Sequence, residues 1–317
     1  MGRMVEVTYL SFKMPHVGHI AWLKAIKALG HNVKVTSLRE FMTIAPNPRG
    51  VLVTEGVRPT MCGAVFGPFY KSWVAVANSP SILRPMINQL YKMPSLVMAV
   101  SSLIRALIDN EAVVLHPVPP ELEALLKIEV DHHSKRPWIF FSGAFIPIKG
   151  LHMIPDIALR LKEEGIKALF MLVGGSQEEP LARLIVDRAR RLGVTEYLKI
   201  VGALPRAHLL ELLSKSSIYL QPSLFDAFPI SVVEAMALGV TPVITKYVGT
   251  RDVLELVSAS LVREPRPDDI AEALKHLLTD PKALREYSAL SRDVVKTTLS
   301  FKSIVDKLNT ILESCLN

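Results

Sequence analysis

The chain has 317 residues, of which 50% are hydrophobic, 21% charged and 7% aromatic. This composition excludes a disordered chain, and the length suits two domains of ordinary size better than a single core. The formal net charge of +7 favours anionic partners such as nucleotides or phospholipid headgroups. Residues 1–135 carry +5 of it (14 Lys/Arg against 9 Asp/Glu), although a modestly basic solubility charge explains this excess as well.

The first part of the chain alternates short apolar strands with helical segments. Strands are predicted at residues 5–10, 33–36, 51–53, 96–100 and 112–115, and helices at residues 20–29 and 121–128. The polar stretch 131–137 contains His132 and His133 and ends in proline, which is typical of a linker. We therefore interpret both histidines as linker residues rather than ligands.

A second series of strands and helices begins directly after this stretch. Strands are predicted at residues 138–141, 168–173, 197–201, 218–221 and 240–245, and helices at 151–164, 178–192, 206–215 and 230–238, with a mainly helical end at 268–316. Alternation without hairpin signals predicts parallel sheets covered by helices on both faces. We expect an α/β fold of two Rossmann-like, doubly wound domains at residues 1–133 and 134–298. Residues 299–317 should form a C-terminal helix that packs back toward the first domain.

The sequence offers no sign of a metal site, a signal peptide or a membrane span. Cys62 and Cys315 lie far apart and match no metal-ligand spacing. The N-terminus has no long apolar segment, and charge-free stretches such as residues 93–104 are too short to cross a bilayer. We therefore expect a cytoplasmic protein, and leave open a peripheral contact with the membrane.

Chemistry in such a fold is expected where strands end, because ligands bind at the carboxyl ends of parallel strands. The strongest candidate is the run PSLFDAFPISVVEAMA at residues 222–237, in which a strand end is followed by a loop and by a helix that begins near Pro229. Backbone N–H groups at this helix start, together with the helix dipole, predict an anion site suited to a diphosphate. These groups belong to Phe228, Ile230 and Ser231.

Two carboxylates belong to the same run. Asp226 lies before the helix and Glu234 about one turn inside it, so both can face one cleft. A carboxylate can accept hydrogen bonds from two hydroxyls, as ribose and hexose diols require. The alternative is that Asp226 caps the helix and Glu234 lies on a solvated face. The apolar neighbours of Glu234 oppose that alternative, because a carboxylate in apolar surroundings usually has a partner or a ligand.

The run resembles the retaining glycosyltransferases of family 4, within the GT-B class. Their pattern is an acidic residue, seven residues and then Glu-Ala-Met-Ala, after a strand that ends in Pro-Ser. Four further segments resemble the family in order and spacing, namely Gly143 to Gly150, Val173-Gly174-Gly175, Val201-Gly202-Ala203-Leu204 and Val248-Gly249-Thr250-Arg251-Asp252. The resemblance covers about residues 138–256, whereas residues 1–130 match only in outline.

The resemblance implies two domains that face each other across a cleft and transfer of a hexose, with retention, from a nucleotide sugar. It implies a UDP- or GDP-sugar donor, no cofactor and no bound metal, and a glycan, lipid or small-molecule hydroxyl as acceptor. It makes Lys149, Asp226 and Glu234 the catalytic residues, which contact the leaving diphosphate, the transferred sugar and the ribose respectively. Further donor contacts are implied for Gly18, Gly143, Gly174, Ala203, Leu204, Phe228, Pro229, Ile230 and Ser231.

Three residues depart from the family pattern. Ala144 stands where a basic residue is usual, Asp226 is one methylene shorter than the commoner glutamate, and Pro229 removes a backbone donor where glycine is common. These departures leave open an unusual donor, a weak enzyme or a non-catalytic nucleotide-binding relative. A nucleotide-sugar epimerase or hydrolase would share the donor site. Nucleic-acid binding is not expected, because no basic patch is interleaved with aromatic residues.

In the first domain, the loop after the first strand carries His16, Gly18 and His19. The glycine would let the backbone approach a phosphate, and either histidine could contact the acceptor or the sugar. An ordinary surface loop explains the two histidines equally well. Residues 65–69 occupy the place of a loop in which many relatives carry a histidine, without one. Residues 96–108, with Arg105, could be an apolar surface for a lipid acceptor, but a strand followed by a core helix is the favoured interpretation.

Overall fold

The computed structural model describes residues 4–11, 17–78, 89–108, 111–176 and 178–316, without the side chains of residues 17–19, 315 and 316. By its packing the chain divides into two compact units. One contains Met1–Glu123 with Leu299–Asn317, and the other contains Ala124–Thr298. The polar stretch 131–137 lies within the second unit, and its last two residues already belong to a strand.

The first unit is built on a parallel sheet of six strands. They are β1 Glu6–Ser11, β2 Asn32–Thr36, β3 Val51–Glu55, β4 Ser72–Ala77, β5 Leu96–Ala99 and β6 Val113–Val114. Their order across the sheet is β2-β1-β3-β4-β5-β6, and every neighbouring pair is parallel. Every residue of β3 and β4 is buried, as is typical of a parallel sheet with both faces covered.

The second unit is built on another parallel sheet of six strands. They are β7 Arg136–Ser142, β8 Leu169–Val173, β9 Leu198–Gly202, β10 Ser216–Gln221, β11 Thr241–Thr245 and β12 Val262–Arg263. Their order is β12-β11-β10-β7-β8-β9, with parallel pairing throughout. This is the doubly wound order of a dinucleotide-binding domain, in which the direction of winding reverses between the first and the fourth strand. The predicted α/β fold of two such sheets is confirmed.

Helices connect the strands in both units. They are α1 Val17–Ala28, α2 Leu38–Phe41, α3 Val57–Phe66, α4 Ser102–Ile108, α5 Leu122–Leu126, α6 Ile154–Glu163, α7 Pro180–Leu192, α8 Arg206–Ser214, α9 Ile230–Ala237, α10 Arg251–Leu254, α11 Pro267–Thr279, α12 Pro281–Thr298 and α13 Phe301–Leu316. The C-terminal helix α13 packs on α1, within the first unit. No helix in the described ranges combines the length and the apolar character needed to cross a lipid bilayer.

The sequence did not predict α3 or β4, and residues 65–69 are not the loop that we expected. Val65 and Phe66 end α3, and residues 67–69 form a short 3-10 turn. Gly63 and Gly67 make the segment look like a loop, yet both lie against the ring of Trp73, where a Cβ at Gly67 would be 2.6 Å from Cε3. Glycine is needed there for close packing, so its presence does not mark a chain break.

Residues 96–108 form a strand and a core helix. Leu96–Ala99 is β5, and α4 buries Ile104 and Ile108 while Arg105 on the same helix is exposed. This is the arrangement that we favoured from the sequence. Ile104 and Ile108 are buried within the first unit.

Candidate functional site

The most distinctive feature of the second sheet is the reversal of winding between β7 and β10. Ligands of doubly wound sheets bind outside the carboxyl ends of the strands at such a point. The loop after β7 carries Lys149 and the loop after β10 carries Asp226. A hydrogen bond of 2.8 Å from Leu224 N to Ile148 O ties the two loops together. The strand order therefore brings two of the predicted site residues to one place.

Lys149 and Asp226 form an ion pair. Lys149 Nζ lies 2.5 Å from Asp226 Oδ2, and the two side chains are only 22% and 13% exposed. Gly150 makes this approach possible, because its φ is +72° and a Cβ at this position would overlap the carbonyl oxygen of Pro222. Asp226 is also fixed through its backbone, whose N–H donates to Tyr247 O at 3.0 Å. The pair is therefore held by three loops that leave neighbouring strands.

A buried network of polar side chains lies beneath Asp226. Gln221, the last residue of β10, donates from Nε2 to Asp226 Oδ2 at 3.1 Å and to Ser223 Oγ at 2.9 Å. The hydroxyl of Tyr219 lies 3.0 Å from Gln221 Oε1 and 2.7 Å from Ser231 Oγ, in the first turn of α9. Burial raises the pKa of Tyr219 to about 12, so this phenol keeps its proton at neutral pH. The network links the carboxylate to the start of the helix.

Glu234 lies one turn further along α9. Its side chain is 6% exposed, whereas that of Arg206, at the start of α8, is 51% exposed. Arg206 Nη2 donates to Glu234 Oε1 at 2.7 Å. Burial raises the pKa of Glu234, and the hydrogen bond and charge of Arg206 partly oppose this rise. The expectation of a partner for this carboxylate holds, since a carboxylate in apolar surroundings requires one.

Glycines lie at the carboxyl ends of β7, β8 and β9. Gly143 N donates to Val173 O at 3.0 Å, and Gly174 N donates to Gly202 O at 2.9 Å, so the ladder continues into the loops. Gly174 has a φ of +122°, and a Cβ there would overlap the carbonyl oxygen of Gly143. The strand ends thus approach each other through their backbones.

The remaining predicted residues of this edge follow β9 or open α9. Ala203 is exposed and Leu204 half-buried, in the loop that leads to Arg206. Phe228 is buried, and Pro229 precedes the first residue of α9 with a φ of −70° and a ψ of 114°. Ile230 and Ser231, which form the first turn, are half-buried. All lie on the segments that surround the two ion pairs.

In the first unit the predicted residues are only partly described. Gly18 and His19 lie in the first turn of α1, where the backbone alone is described, and His16 falls outside the described residues.

A buried carboxylate at the end of β3 was missed. Glu55 pairs in register with Ser11, at the reversal between β1 and β3, and accepts hydrogen bonds from Tyr9 and, at 3.2 Å, from Asn78 Nδ2. The sequence signal that could have indicated Glu55 is a single carboxylate at the end of an otherwise mostly apolar strand.

The sequence also missed Arg206, Tyr219 and Gln221. A glutamine that ends an otherwise apolar buried strand could have indicated Gln221, but its partner depends on the loop that follows. Among the residues that the structure describes, no three His, Cys, Asp or Glu side chains form a group that could hold a metal ion.

Comparison with known proteins identifies the second unit. The family model described as "Glycosyl transferases group 1" matches residues 125–293, which are 169 of the 317 residues. A D-inositol 3-phosphate glycosyltransferase of Nocardiopsis dassonvillei is 34% identical over 146 residues, which are 45% of this chain and 33% of the relative. An MMP alpha-(1->4)-mannosyltransferase of Mycolicibacterium hassiacum is 25% identical over 207 residues, which are 64% of this chain and 49% of the relative. The chain thus spans about a third to a half of the length of these relatives.

Solved structures resemble the whole chain. The Anabaena protein HepE in complex with UDP and glucose has a TM-score of 0.78 at 14% identity, over 98% of this chain and 100% of that one. Sucrose-phosphate synthase from Thermosynechococcus elongatus has a TM-score of 0.77 at 13% identity, over 98% of both chains. At such identities the likeness establishes the fold, which is that of the GT-B class. With the family model matching more than half of its length, the chain belongs to the group 1 family of glycosyl transferases.

Proposed function

We propose that the protein transfers a sugar, with retention of configuration, from a nucleoside-diphosphate sugar to an acceptor hydroxyl. The observation that carries this proposal is the Lys149–Asp226 pair at the winding reversal of the second sheet, inside the region that matches the family. The helix that begins beside the pair carries Ser231 and Glu234 on consecutive turns. The site therefore contains a cation and a helix start, which suit the charged diphosphate of a nucleotide, and two carboxylates, which suit the hydroxyls of a sugar.

Glu234 is proposed to bind the ribose. Its Oε1 accepts one hydrogen bond from Arg206, and the remaining lone pairs of the carboxylate are proposed to accept from the hydroxyls of the ligand. Its burial makes such a hydrogen bond stronger than one in water. The backbone edge formed by Gly143 and Gly174, with Ala203 and Leu204 after β9, is proposed to lie along the nucleotide.

Lys149 is proposed to stabilise the departing diphosphate. Negative charge grows on that group as the bond to the sugar breaks, and a fixed ammonium with the N–H groups at the start of α9 lowers the barrier. Phe228, Pro229 and Ile230 would lie along the diphosphate and sugar. Asp226 accepts hydrogen bonds from sugar hydroxyls in this scheme, and no protein nucleophile is assigned.

The donor is proposed to be a UDP- or GDP-hexose, and the acceptor a glycan, a lipid or a small molecule. Support for the nucleotide comes from the HepE complex with UDP and glucose, and support for hexose transfer from the mannosyltransferase relative. We place the protein in the cytoplasm, since Cys62 is a free thiol and the cysteine content is low.

A second candidate is a nucleotide-binding relative without transferase activity. Ala144, which is exposed beside Gly143, and Pro229 at the start of α9 support it, because each removes a polar contact to a diphosphate. Hydrolysis of a nucleotide sugar at the same site is a further alternative. These candidates share the nucleotide site and differ only in what happens to the sugar.

The first experiment measures the thermal unfolding of the protein in the presence of UDP, GDP, ADP, dTDP or CMP, to find which nucleotide binds. A ligand at about one hundred times its dissociation constant should stabilise the folded state by roughly 2.7 kcal/mol. Glu234→Ala should abolish the shift. Glu211→Ala is the matched control, since it removes an exposed carboxylate from α8 whose partner is Lys215. If no nucleotide stabilises the wild type, the proposed function is wrong.

The second experiment measures release of nucleoside diphosphate from the matching nucleotide sugar. Release that depends on an added acceptor supports transfer. Release without acceptor supports hydrolysis, and binding without release supports the non-catalytic candidate.

A further inference from the structure

The helix α3 of the first unit buries its shorter side chains. Its buried residues are Pro59, Thr60 and Gly63, and a Cβ at Gly63 would overlap the ring of Trp73. A surface helix normally turns its large apolar side chains to the core and its charged side chains to solvent. In α3, Arg58 is the only charged residue, so the solvent side of this helix is largely apolar.

Three large apolar side chains are exposed along α3 and the turn that follows it. Met61 and Val65 are four residues apart and therefore lie on one side of the helix. Phe69 comes four residues later, in the 3-10 turn that begins directly after α3. All three are exposed, which means that this side of the helix has no partner within the first unit.

The short helix α2 adds a fourth exposed side chain. The ring of Phe41 packs edge-on against that of Phe66, with 5.3 Å between the centroids, so Met42 lies near the end of α3. The four side chains are between 56% and 63% exposed, and we call them the α2–α3 face; they are Met42, Met61, Val65 and Phe69. Single exposed apolar residues are ordinary, but a group of them on adjoining elements marks an interaction surface.

The exposed charges of this part of the chain are mostly positive. Within residues 38–71, all of which the structure describes, the carboxylates are Glu40, which is exposed, and Glu55, which is buried at the end of β3. The exposed cations of the same range are Arg39, Arg49, Arg58 and Lys71. The surroundings of the α2–α3 face therefore carry a net positive charge and suit an anionic partner.

The cations border the apolar side chains at both ends of α3. Arg58 precedes Met61 by about one turn of the helix. Lys71 follows the 3-10 turn and donates its backbone N–H to Gly50 O at 3.0 Å, which places it beside Arg49. Apolar side chains between cations fit a lipid surface, because the apolar groups can enter among the acyl chains while the cations stay at the headgroup phosphates.

We propose that the α2–α3 face binds the surface of a membrane that contains anionic phospholipids. The protein lies on such a membrane and does not cross it, with the four apolar side chains at the boundary of headgroups and acyl chains. The inference goes beyond the proposed transfer reaction and does not depend on it. It also uses a different surface from residues 96–108, whose helix buries Ile104 and Ile108.

A second copy of the chain fits this face less well than a membrane does. A two-fold contact brings the same surface patch of both copies together. The cations around the α2–α3 face would then approach those of the other copy, and like charges at short range oppose association. Anionic headgroups would neutralise the same cations.

The test is cosedimentation of the whole chain with vesicles of phosphatidylcholine alone, or of phosphatidylcholine and phosphatidylglycerol in equal amounts. The wild type should bind the mixed vesicles about tenfold or more tightly than the neutral ones, and this preference should weaken as the ionic strength rises. Met61→Ser/Phe69→Ser should lower the affinity for mixed vesicles by about tenfold or more, because two apolar side chains no longer enter the bilayer. Leu184→Ser/Leu256→Ser removes two exposed leucines of the second unit and should leave the affinity unchanged.

A second pair of variants tests the cations. Arg39→Gln/Arg49→Gln should lower the affinity for mixed vesicles by about fivefold for each lost charge, and should leave the affinity for neutral vesicles unchanged. Lys199→Gln/Lys282→Gln removes two exposed lysines of the second unit and serves as the control. Thermal unfolding of every variant checks that it is folded.

Several results would overturn the inference. The wild type could fail to bind mixed vesicles, or bind neutral and mixed vesicles equally. The leucine control could lose as much affinity as Met61→Ser/Phe69→Ser, which would place the lipid contact elsewhere. A dimer in sedimentation equilibrium that Met61→Ser/Phe69→Ser dissociates would assign the face to a second copy of the chain. Because vesicle binding is measured without nucleotide, each of these results leaves the proposed function untouched.

Discussion

Arg206 and Glu234 lie on different helices, and the guanidinium donates from Nη2 to Oε1 of the carboxylate at 2.7 Å. The arginine is half-exposed and the glutamate is almost completely buried. Burial raises the pKa of Glu234 and Arg206 lowers it, so the arginine is what favours the ionised form in apolar surroundings. The charge of a carboxylate proposed to bind ribose therefore depends on a residue at the start of the preceding helix, α8.

Arg206→Ala should destabilise the protein in a pH-dependent way. Without its partner, the folded-state pKa of Glu234 rises further. A carboxyl with a raised folded pKa contributes stability at low pH, and this contribution is lost as the pH rises through the folded pKa. The cost of the substitution should therefore be small near about pH 5 and reach about 1–3 kcal/mol near about pH 8. Urea unfolding at both pH values measures it.

Arg206→Lys is the matched control, because it keeps the positive charge and should recover part of the stability at high pH. An equal cost for Arg206→Ala at both pH values would contradict the role of Arg206 as counter-ion of Glu234.

Lys149→Ala should reduce kcat by about 10²–10³ if the ammonium stabilises charge on the departing diphosphate. Initial rates of nucleoside diphosphate release at saturating donor provide the measurement. Lys215→Ala, which removes an exposed lysine paired with Glu211, should leave the rate unchanged. A rise in KM with unchanged kcat would instead assign Lys149 to binding of the ground state.

Gly150→Ala should be much more destabilising than Gly165→Ala. The two glycines have φ values of +72° and +71°, so the backbone strain of the substitution is the same, about 1 kcal/mol. A Cβ at Gly165 has no atom within 4 Å, whereas one at Gly150 overlaps the carbonyl oxygen of Pro222. In urea unfolding, Gly150→Ala should therefore be less stable than Gly165→Ala by about 1–3 kcal/mol, which is the cost of the steric overlap. Equal costs would mean that the two loops are not in close contact.

Ala144→Arg should tighten the binding of a nucleoside diphosphate by about tenfold, since a charged hydrogen bond contributes about 1.5–3 kcal/mol before screening by solvent. Ala144 is exposed beside Gly143, and it stands where the family pattern has a basic residue. Ala289→Arg on α12 adds the same charge at another exposed alanine and serves as the control. Calorimetric titration with UDP and GDP compares the two variants. If both variants bind the nucleotide equally more tightly, the gain comes from the added net charge and not from a specific contact at position 144.

The sequence predicted the second unit closely because its signals are local. Apolar runs of strand length, helices that end at Gly193 or Gly239, and strand-end glycines such as Gly174 all depend on neighbouring residues. The prediction failed at α3 and β4, where Gly63 and Gly67 serve the packing of Trp73. A glycine required by a distant side chain cannot be told from a loop glycine along the chain.

The sequence by itself determined the α/β class, the family and the residues that follow strands, because periodicity, turn residues and motif spacing are properties of adjacent positions. Only the tertiary structure decided which of those residues meet. Lys149 and Asp226 are 77 positions apart and touch because β10 lies beside β7. The pairing of Arg206 with Glu234 and the hydrogen bond that Tyr219 donates to Ser231 likewise depend on how distant segments pack together. Such contacts are set by the sum of long-range packing, which no local pattern encodes.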